Sequence, residues 1–204
     1  MSVKQNASTF RTRRKIHDAF MALAETRDVS AITVNDVTAE AGLNRTTFYL
    51  HYPDIHALLD AVIEEIMDRL QEGGRKLLAW DGSSGEGWQE TFYRTMAERP
   101  QLFISLLRST AREKLASRLM ADHMGWFLAR WEQEAITPPP GFPDLRTCAT
   151  FVAGGVHALT VSWLESGMPV SPETLAEHAY FLGMGAVGQV EPGPLPLMQP
   201  SDEA

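Results

Sequence analysis

The segment Leu43–Asp54, which reads LNRTTFYLHYPD, concentrates side chains that can hydrogen-bond to a polar partner. Two threonines and two tyrosines supply hydroxyl groups, Arg45 supplies a guanidinium and His51 an imidazole. A core helix would not crowd so many polar groups around Phe48 and Leu50. The segment is therefore predicted to lie at a surface that meets a polar ligand.

Charge is distributed unevenly along this chain of 204 residues, whose net charge is −8. Residues 1–53 carry seven Lys/Arg against five Asp/Glu, net +2, and residues 54–204 carry eleven against twenty-one, net −10. Contacts with phosphate fall off within a Debye length of about 10 Å, so a local basic patch matters more for nucleic-acid binding than the total charge. Such a patch can also be the solvated start of a helix. Its members are Lys4, Arg11, Arg13, Arg14 and Lys15.

Composition excludes several classes of protein. Apolar residues make up 44% of the chain, which is typical of a globular fold rather than a disordered one. The single cysteine, Cys148, excludes an intramolecular disulfide framework and fits a reducing compartment. The sequence contains no uninterrupted apolar run of about eighteen residues and no apolar region after its first methionine. We therefore expect a cytoplasmic protein with no membrane partner.

Two predicted helices precede the polar segment. Apolar residues between Ile16 and Ala24 recur at intervals of three and four, which predicts an amphipathic helix over about residues 8–26. Thr33 can cap the next helix, and Asp36 at its third position can return the bond in a capping box. The polar segment should therefore be held against a small helical core.

Three residues after this second helix mark where helices end and begin. Gly42 stands where a helix commonly ends in a left-handed residue, Asn44 can cap a third helix, and Pro53 cannot continue it. A fourth helix is predicted over about residues 55–72. Residues 33–52 are thus two short helices joined by a tight turn and packed on a supporting helix, which is a helix-turn-helix.

The second helix of such a unit enters the major groove of DNA. That placement accounts for the polar side chains of the segment as ligands of base edges and phosphates. Phe48 is interpreted differently, as the residue that anchors this helix to Val37 and Ala41 in the small core.

This unit closely resembles the N-terminal domain of the tetracycline-repressor (TetR) family over about residues 8–70. The resemblance implies an all-helical homodimer that binds operator DNA and usually represses transcription until a small ligand binds its C-terminal domain. Farther along, residues 154–155, 163–169 and 171–173 are similar to the last two helices of many members. The motifs that carry the resemblance are Ile32-Thr33-Val34, Asp36-Val37, Ala41-Gly42-Leu43, Thr47-Phe48-Tyr49-Leu50-His51-Tyr52 and Leu58-Leu59.

The resemblance also implies which side chains contact DNA. Tyr49 and His51 match the common Tyr-x-His phosphate pair, and Thr33 and Asn35 lie where members often hold the backbone. Ile55 departs from the pattern, because many members have a lysine there. The predicted DNA-contacting residues are Arg11, Arg13, Arg14, Lys15, Thr33, Asn35, Asn44, Arg45, Thr46, Thr47, Tyr49, His51 and Tyr52.

We expect a helix-turn-helix domain over residues 1–53, linked by a helix at 54–72 to a ligand-binding and dimerisation domain over 54–188. Residues 73–87 are rich in glycine and predict a loop. Residues 189–204 are rich in proline and are predicted to be a disordered tail. Further helices are predicted around Trp88–Met96 and over 101–109, 111–135, 144–166 and 172–187.

Aromatic residues are frequent in the C-terminal part. Each can be ordinary core, but an apolar cavity with few polar groups would suit a hydrophobic or aromatic effector. His123 and His157 lie on otherwise apolar helices, where a histidine is either a satisfied core residue or a group that orients a ligand. The predicted pocket residues are Trp88, Phe92, Phe103, Leu107, His123, Phe127 and Phe151.

Small residues recur on the last two helices and permit close approach of another helix. They could serve packing inside one subunit, or a four-helix bundle across a two-fold axis, where the resemblance puts the homodimer. The predicted interface residues are Val152, Gly155, Val156, Leu159, Trp163, Leu182 and Ala186.

Other chemistries find little support. The six histidines include no pair at i, i+4, and Cys148 lacks a neighbouring ligand, so no metal site is expected. Residues 183–188 match G-x-G-x-x-G, but that motif needs a preceding strand, so no cofactor is expected. We predict a DNA-binding repressor relieved by a small effector, not an enzyme. The alternatives are a regulator without a small-molecule effector and a helical enzyme or carrier.

Overall fold

The computed structural model describes residues 3–79, 88–138, 141 and 144–186. Within these ranges the chain forms nine α-helices and no strand, which confirms the predicted all-α fold. The predicted tail and residues 80–87 of the predicted loop lie outside the described residues. The helices are α1 (Val3–Ala24), α2 (Val34–Ala41), α3 (Arg45–Tyr49), α4 (Ile55–Ala79), α5 (Trp88–Ala97), α6 (Pro100–Arg108), α7 (Arg112–Gln133), α8 (Leu145–Glu165) and α9 (Pro172–Ala186).

The predicted caps at α2 and α3 are confirmed. The backbone N–H of Asp36 donates to Thr33 Oγ1 at 3.3 Å, and the backbone N–H of Thr33 donates to Asp36 Oδ2 at 2.9 Å, which completes the capping box. Gly42 then has φ +64°, a left-handed conformation that a side chain would disfavour. Asn44 Oδ1 accepts the backbone N–H of Thr47 at 2.7 Å and so starts α3. Local hydrogen bonds therefore fix the turn between the two helices.

Helix α4 is longer than predicted. The prediction of a loop from Gly73 is wrong at its start, because α4 continues through Gly73 and Gly74 to Ala79. Each glycine costs a helix about 1 kcal/mol relative to alanine. The good helix formers that follow, Arg75–Ala79, offset part of that cost.

The helices enclose a continuous apolar core. Helices α1 to α3 pack around Ile16, Phe20, Val37 and Phe48, which are fully buried. Helix α4 leaves this unit and packs on α5 and α7, α7 packs on α8, and α9 covers α5. The helix-turn-helix unit is thus built onto the same core as the C-terminal helices.

A second contact joins the two halves of the chain. The backbone N–H of Val29 donates to Ser105 Oγ at 3.2 Å, and that hydroxyl donates to the carbonyl of Arg27 at 3.1 Å. Nearby, Arg99 forms an ion pair with Glu25, the residue that follows α1. Helix α6 therefore also contacts the helix-turn-helix unit, in addition to the linking helix α4.

Candidate nucleic-acid interface

Helix α3 has a buried face and an exposed face. Phe48 is fully buried, which confirms its predicted role as the anchor of this helix. Arg45 and Thr46 are exposed, and Tyr49 is 46% exposed. Because the helix is short, burial of Phe48 fixes the direction in which the other side chains point. The result is a polar surface of the size that the major groove admits.

Arg45 and Tyr49 form a pair on this surface. They lie one helical turn apart, and Arg45 Nη2 donates to Tyr49 Oη at 3.1 Å. The guanidinium carbon lies 5.8 Å from the centre of the tyrosine ring, within the range of a cation–π contact. These two contacts hold the guanidinium beside Tyr49 and leave its other N–H donors available to a guanine edge or a phosphate.

Three predicted DNA ligands serve first as structural caps. The hydroxyl of Thr33 donates to Asp36 Oδ2 at 2.5 Å, and the hydroxyl of Thr47 donates to Asn44 Oδ1 at 2.9 Å. Hydrogen bonds from Thr33, with the positive charge of Arg27, lower the pKa of Asp36 to about 2. Each of these two hydroxyl groups therefore already donates its proton in a hydrogen bond within the protein. Asn35, by contrast, is exposed at the first turn of α2.

Tyr52 is not part of the surface, and its assignment as a DNA ligand is corrected. Its side chain is 4% exposed, because its ring packs 5.9 Å from that of Phe48. Its hydroxyl lies 2.6 Å from His17 Nε2 and accepts from Arg13 Nε at 3.2 Å. The residue therefore ties the end of the recognition region to α1.

His17 and Glu65 were missed by the sequence analysis. His17 is buried, and its Nδ1 forms a short hydrogen bond with the carboxylate of Glu65 on α4. The signal was the position of a histidine between Ile16 and Phe20, on the apolar face of α1. No sequence pattern pointed to a partner forty-eight residues away.

The predicted basic patch lies in the middle of α1, apart from Lys4, whose side chain lies outside the described residues. Arg11, Arg13, Arg14 and Lys15 are all exposed. Arg14 lies 3.8 Å from Asp18, and the guanidinium of Arg13 lies 5.6 Å from the centre of the Tyr52 ring. The contact between Arg13 and Tyr52 brings this patch next to the end of α3.

His51 lies between the patch and the recognition helix. It is half-buried, and burial followed by the nearby charge of Arg13 lowers its pKa below the ordinary value of 6.5. The imidazole is therefore neutral near pH 7, where one of its nitrogens is an N–H donor. A neutral donor beside a basic patch suits a phosphate oxygen.

Comparison with known proteins agrees with this geometry. Residues 16–62 match the description "Bacterial regulatory proteins, tetR family", and residues 86–183 match "Transcriptional regulator C-terminal region" of the same family. The chain belongs to the TetR family. Both matching descriptions are of transcriptional regulators rather than of enzymes.

Individual TetR-family relatives are similar in part or in fold. The uncharacterized HTH-type transcriptional regulator YxbF of Bacillus subtilis (strain 168) is 40% identical over 65 residues, which cover 29% of this chain and 17% of the relative. This chain thus matches less than a fifth of that relative's length. The dihydroxyacetone kinase operon activator DhaS has a TM-score of 0.67 at 16% identity, with 88% of this chain and 98% of that chain covered. A TetR regulator from Streptococcus agalactiae 2603V has a TM-score of 0.66 at 20% identity, covering 88% and 97%.

In the C-terminal domain of this TetR-family chain, most of the predicted pocket side chains are buried together. The ring of His123 lies 4.8 Å from that of Phe92 and 6.3 Å from that of Phe127. His123 Nδ1 bonds to the carbonyl of Leu119 at 2.7 Å, and burial lowers the pKa of His123 to about 4. Phe103 and Leu107 are buried too, but the side chain of Trp88 lies outside the described residues.

Phe151 does not belong to that interior. Its side chain is 75% exposed, so its assignment to the pocket is corrected. Helix α8 turns Cys148, Val152 and Val156 inward, and Phe151 falls on the opposite face. Tyr93 is a polar interior group that the sequence analysis missed. It is fully buried, and burial raises its pKa to about 12, so its hydroxyl remains protonated.

The described cavities lie at the junction with the helix-turn-helix unit. One of about 240 Å³ is lined by residues of α6 and by residues 24–28, including Arg27 and Ser105. A smaller one of about 20 Å³ lies between Met21, Ile66 and Phe103. Of the predicted pocket residues, Phe103 alone lines either of them. The aromatic rings around His123 are packed against each other.

The outer faces of α8 and α9 carry apolar side chains. Phe151, Tyr180, Phe181 and Leu182 are exposed large hydrophobic residues, and Gly155 of α8 is exposed too. Three predicted interface residues, Val152, Val156 and Trp163, instead pack inside the subunit, and this part of the prediction is corrected. Leu159 is half-buried, and the side chain of Ala186 lies outside the described residues.

A small residue of α9 allows this helix to approach α8 within the subunit. A Cβ atom on Gly183 would lie 3.2 Å from Val152 Cγ1, so this glycine packs α9 closely on α8 within the subunit. Gly183 also lies inside a helix rather than after a strand, which is not the context of a dinucleotide-binding turn. Cys148 is buried.

Two further features concern metals and membranes. Among residues 3–79, 88–138, 141 and 144–186, no group of three His, Cys, Asp or Glu side chains could hold a metal ion. Helix α8 is long and apolar enough to span a membrane by length and composition, as the core helix of a soluble protein can also be. Here it packs against α6, α7 and α9.

Proposed function

We propose that this chain binds operator DNA as a homodimer in the cytoplasm and regulates transcription, most simply as a repressor that blocks RNA polymerase. The observation that carries the proposal is the outward face of α3, where Arg45, Thr46 and Tyr49 are exposed around the buried anchor Phe48. A helix so anchored presents a fixed pattern of donors and acceptors, which reading a base sequence requires.

The proposed dimer forms through the outer faces of α8 and α9. Phe151, Tyr180, Phe181 and Leu182 would become buried against the same residues of a second copy, since a two-fold interface is self-complementary. Exposed apolar patches of this kind commonly mark interaction sites. The dimer would hold two recognition helices at a fixed separation, as an operator with two-fold symmetry requires.

The proposed effector is a small hydrophobic or aromatic molecule that binds among Phe92, Phe103, Leu107, His123 and Phe127. Nε2 of His123 and the protonated hydroxyl of Tyr93 supply the few polar groups that orient such a ligand. Because these side chains are closely packed, binding would require them to move apart. That movement is the proposed source of the conformational change.

Two routes would carry the movement to DNA. Helix α4 is held to α7 by the ion pair of Lys114 with Asp60, at 2.7 Å, and five residues farther along α4, Glu65 bonds to His17 of α1. Helix α6 carries Phe103 on one side and Ser105, which bonds to residues of the helix-turn-helix unit, on the other. A coupling of about 1–3 kcal/mol would change operator affinity roughly 5- to 150-fold.

A regulator without a small-molecule effector is the second candidate. The close packing of His123 against Phe92 and Phe127 favours this candidate. If no ligand binds among these rings, they never need to move apart. In that case the protein would act through its DNA-binding state alone or through a protein partner.

Operator binding and ligand response can be measured in one series. Duplexes that the full-length chain enriches from a random library serve as operator, and affinity is measured by fluorescence anisotropy over a salt series. We expect tight, sequence-dependent binding that weakens steeply with salt. Equal affinity for enriched and random duplexes would refute the proposed function.

The effector is tested on the same operator. Aromatic and aliphatic compounds are screened for quenching of tryptophan fluorescence, since Trp126 lies 5.2 Å from His123. A compound that binds should lower operator affinity at saturation. An unchanged operator affinity with bound ligand would favour the second candidate.

A further inference from the structure

Leu50 is the most exposed of the large apolar side chains in the described part of the chain, at 79%. A single exposed leucine is ordinary on a protein surface. Its setting is not ordinary, because it directly follows Tyr49 at the end of the recognition helix and precedes His51. An apolar side chain thus adjoins the polar surface that would meet DNA.

The backbone holds this side chain in a defined position. Leu50 keeps helical backbone angles, φ −71° and ψ −19°, and its N–H donates to the carbonyl of Thr46 at 3.1 Å. Residues four apart lie on the same face of a helix, so Leu50 extends the exposed face that bears Thr46. Phe48 and Tyr52 are buried on either side of it along the chain and prevent the helix from turning it inward.

We propose that Leu50 is a specificity-determining residue that reads the 5-methyl group of a thymine in the operator. In the major groove, the thymine methyl is the one apolar group among the hydrogen-bonding edges, and apolar side chains contact it. Burying Leu50 against that methyl removes both surfaces from water. The inference rests on the proposed DNA-binding function, and it adds a base to the site that Arg45 and Thr46 would read.

The neighbouring contacts support a base rather than a backbone ligand. Arg45 is hydrogen-bonded to Tyr49 and lies within cation–π distance of its ring, so the charged and phenolic groups lie together on one part of the helix surface. Leu50 can form no hydrogen bond with a phosphate through its side chain. A contact with a methyl group therefore uses the chemistry that this side chain has.

Replacement of thymine by deoxyuridine tests the contact, because uracil lacks only the 5-methyl group. Each thymine of an enriched duplex is replaced in turn, and the affinities of the full-length wild type, Leu50→Ala and Leu50→Met are compared. The wild type should bind about fourfold more weakly when one particular thymine of each half-site is replaced by uracil. That is the factor expected for one buried methyl group.

Leu50→Ala should bind thymine and uracil equally at that position, whereas Leu50→Met should keep most of the preference. Phe10→Ala is the matched control, because Phe10 is another exposed apolar side chain, on α1, and its removal should leave the preference unchanged. Thermal unfolding checks that Leu50→Ala is folded, and the wild type on modified DNA provides a test that needs no variant.

The outcomes separate this inference from the proposed function. Sequence-specific binding with no effect of uracil at any thymine would overturn the role of Leu50 and leave the proposed function standing. A thymine preference that Leu50→Ala retains in full would also overturn it. If enriched and random duplexes bind equally, the proposed function fails, and the inference fails with it.

Discussion

The Nε2 atom of His17 lies 2.6 Å from the hydroxyl oxygen of Tyr52. This contact joins α1 to the segment that follows α3, the proposed recognition helix. The other ring nitrogen of His17 bonds to Glu65 on α4, and Arg13 donates to the same tyrosine hydroxyl. One chain of hydrogen bonds thus connects the basic patch, the end of the recognition region and the linking helix. A shift of α4 would act on Tyr52 through His17.

Tyr52→Phe should lower the free energy of unfolding by about 1–3 kcal/mol, because it leaves the buried nitrogen of His17 without its partner. Tyr49→Phe removes the same hydroxyl group from a residue that is 46% exposed, and should change stability by less than about 0.5 kcal/mol. Urea denaturation of the two variants measures the difference. Equal losses would mean that the buried hydrogen bond contributes nothing specific.

Arg45→Ala should reduce discrimination between the enriched operator and random DNA by about 1–3 kcal/mol, because Arg45 can reach a base edge. Arg14→Ala removes a guanidinium that belongs to the basic patch on α1, and should weaken binding to both duplexes alike. Anisotropy titrations of both variants at one salt concentration measure the two effects. If Arg45→Ala loses the same affinity for the enriched operator and for random DNA, Arg45 contacts a phosphate rather than a base.

Operator affinity should rise as the pH falls from 8 to 6 because of His51. In the free protein its pKa lies below 6.5, so the ring is neutral at pH 7. A phosphate beside the ring favours its charged form and raises its pKa in the complex, so binding takes up a proton. His51→Gln should flatten the dependence of affinity on pH. If the wild-type slope survives in this variant, another group is responsible.

Stability should fall as the pH decreases from 6.5 to about 4 because of His123. Its pKa is lowered to about 4 in the folded chain, so only the unfolded chain binds the proton in this interval. The loss begins below the unfolded pKa, is complete near pH 4, and amounts to about 3 kcal/mol. His123→Gln should remove this part of the pH dependence, measured as the difference between the two urea-denaturation series. Parallel series would contradict the assignment.

Phe151→Glu should convert the proposed dimer to monomers, because it places a charge in the apolar face of α8 and α9. Operator affinity should fall strongly, since the two half-sites would no longer be bound together. Sedimentation measures the mass, and Phe10→Glu, at an exposed phenylalanine outside that face, is the control for the mass alone. An intact Phe151→Glu dimer would place the interface elsewhere.

The sequence by itself determined the helices of the N-terminal unit and the turn between them. The capping box of Thr33 with Asp36, the left-handed Gly42 and the cap at Asn44 each depend on residues within four positions of one another. Such hydrogen bonds are set by local geometry, so residue type and spacing are enough to predict them. The aromatic anchor Phe48 was predictable for a similar reason, as an apolar residue among polar neighbours.

Only the tertiary structure decided which way several side chains face. Tyr52 looked like a DNA ligand, but its hydroxyl is buried against His17, thirty-five residues earlier in the chain. Phe151 and Val152 are adjacent apolar residues of α8, and packing against the rest of the subunit turned Val152 inward and left Phe151 outside. When a helix is apolar on more than one face, its periodicity cannot select the buried one. That choice depends on neighbours that are distant in sequence, as does the contact of Ser105 with the helix-turn-helix unit.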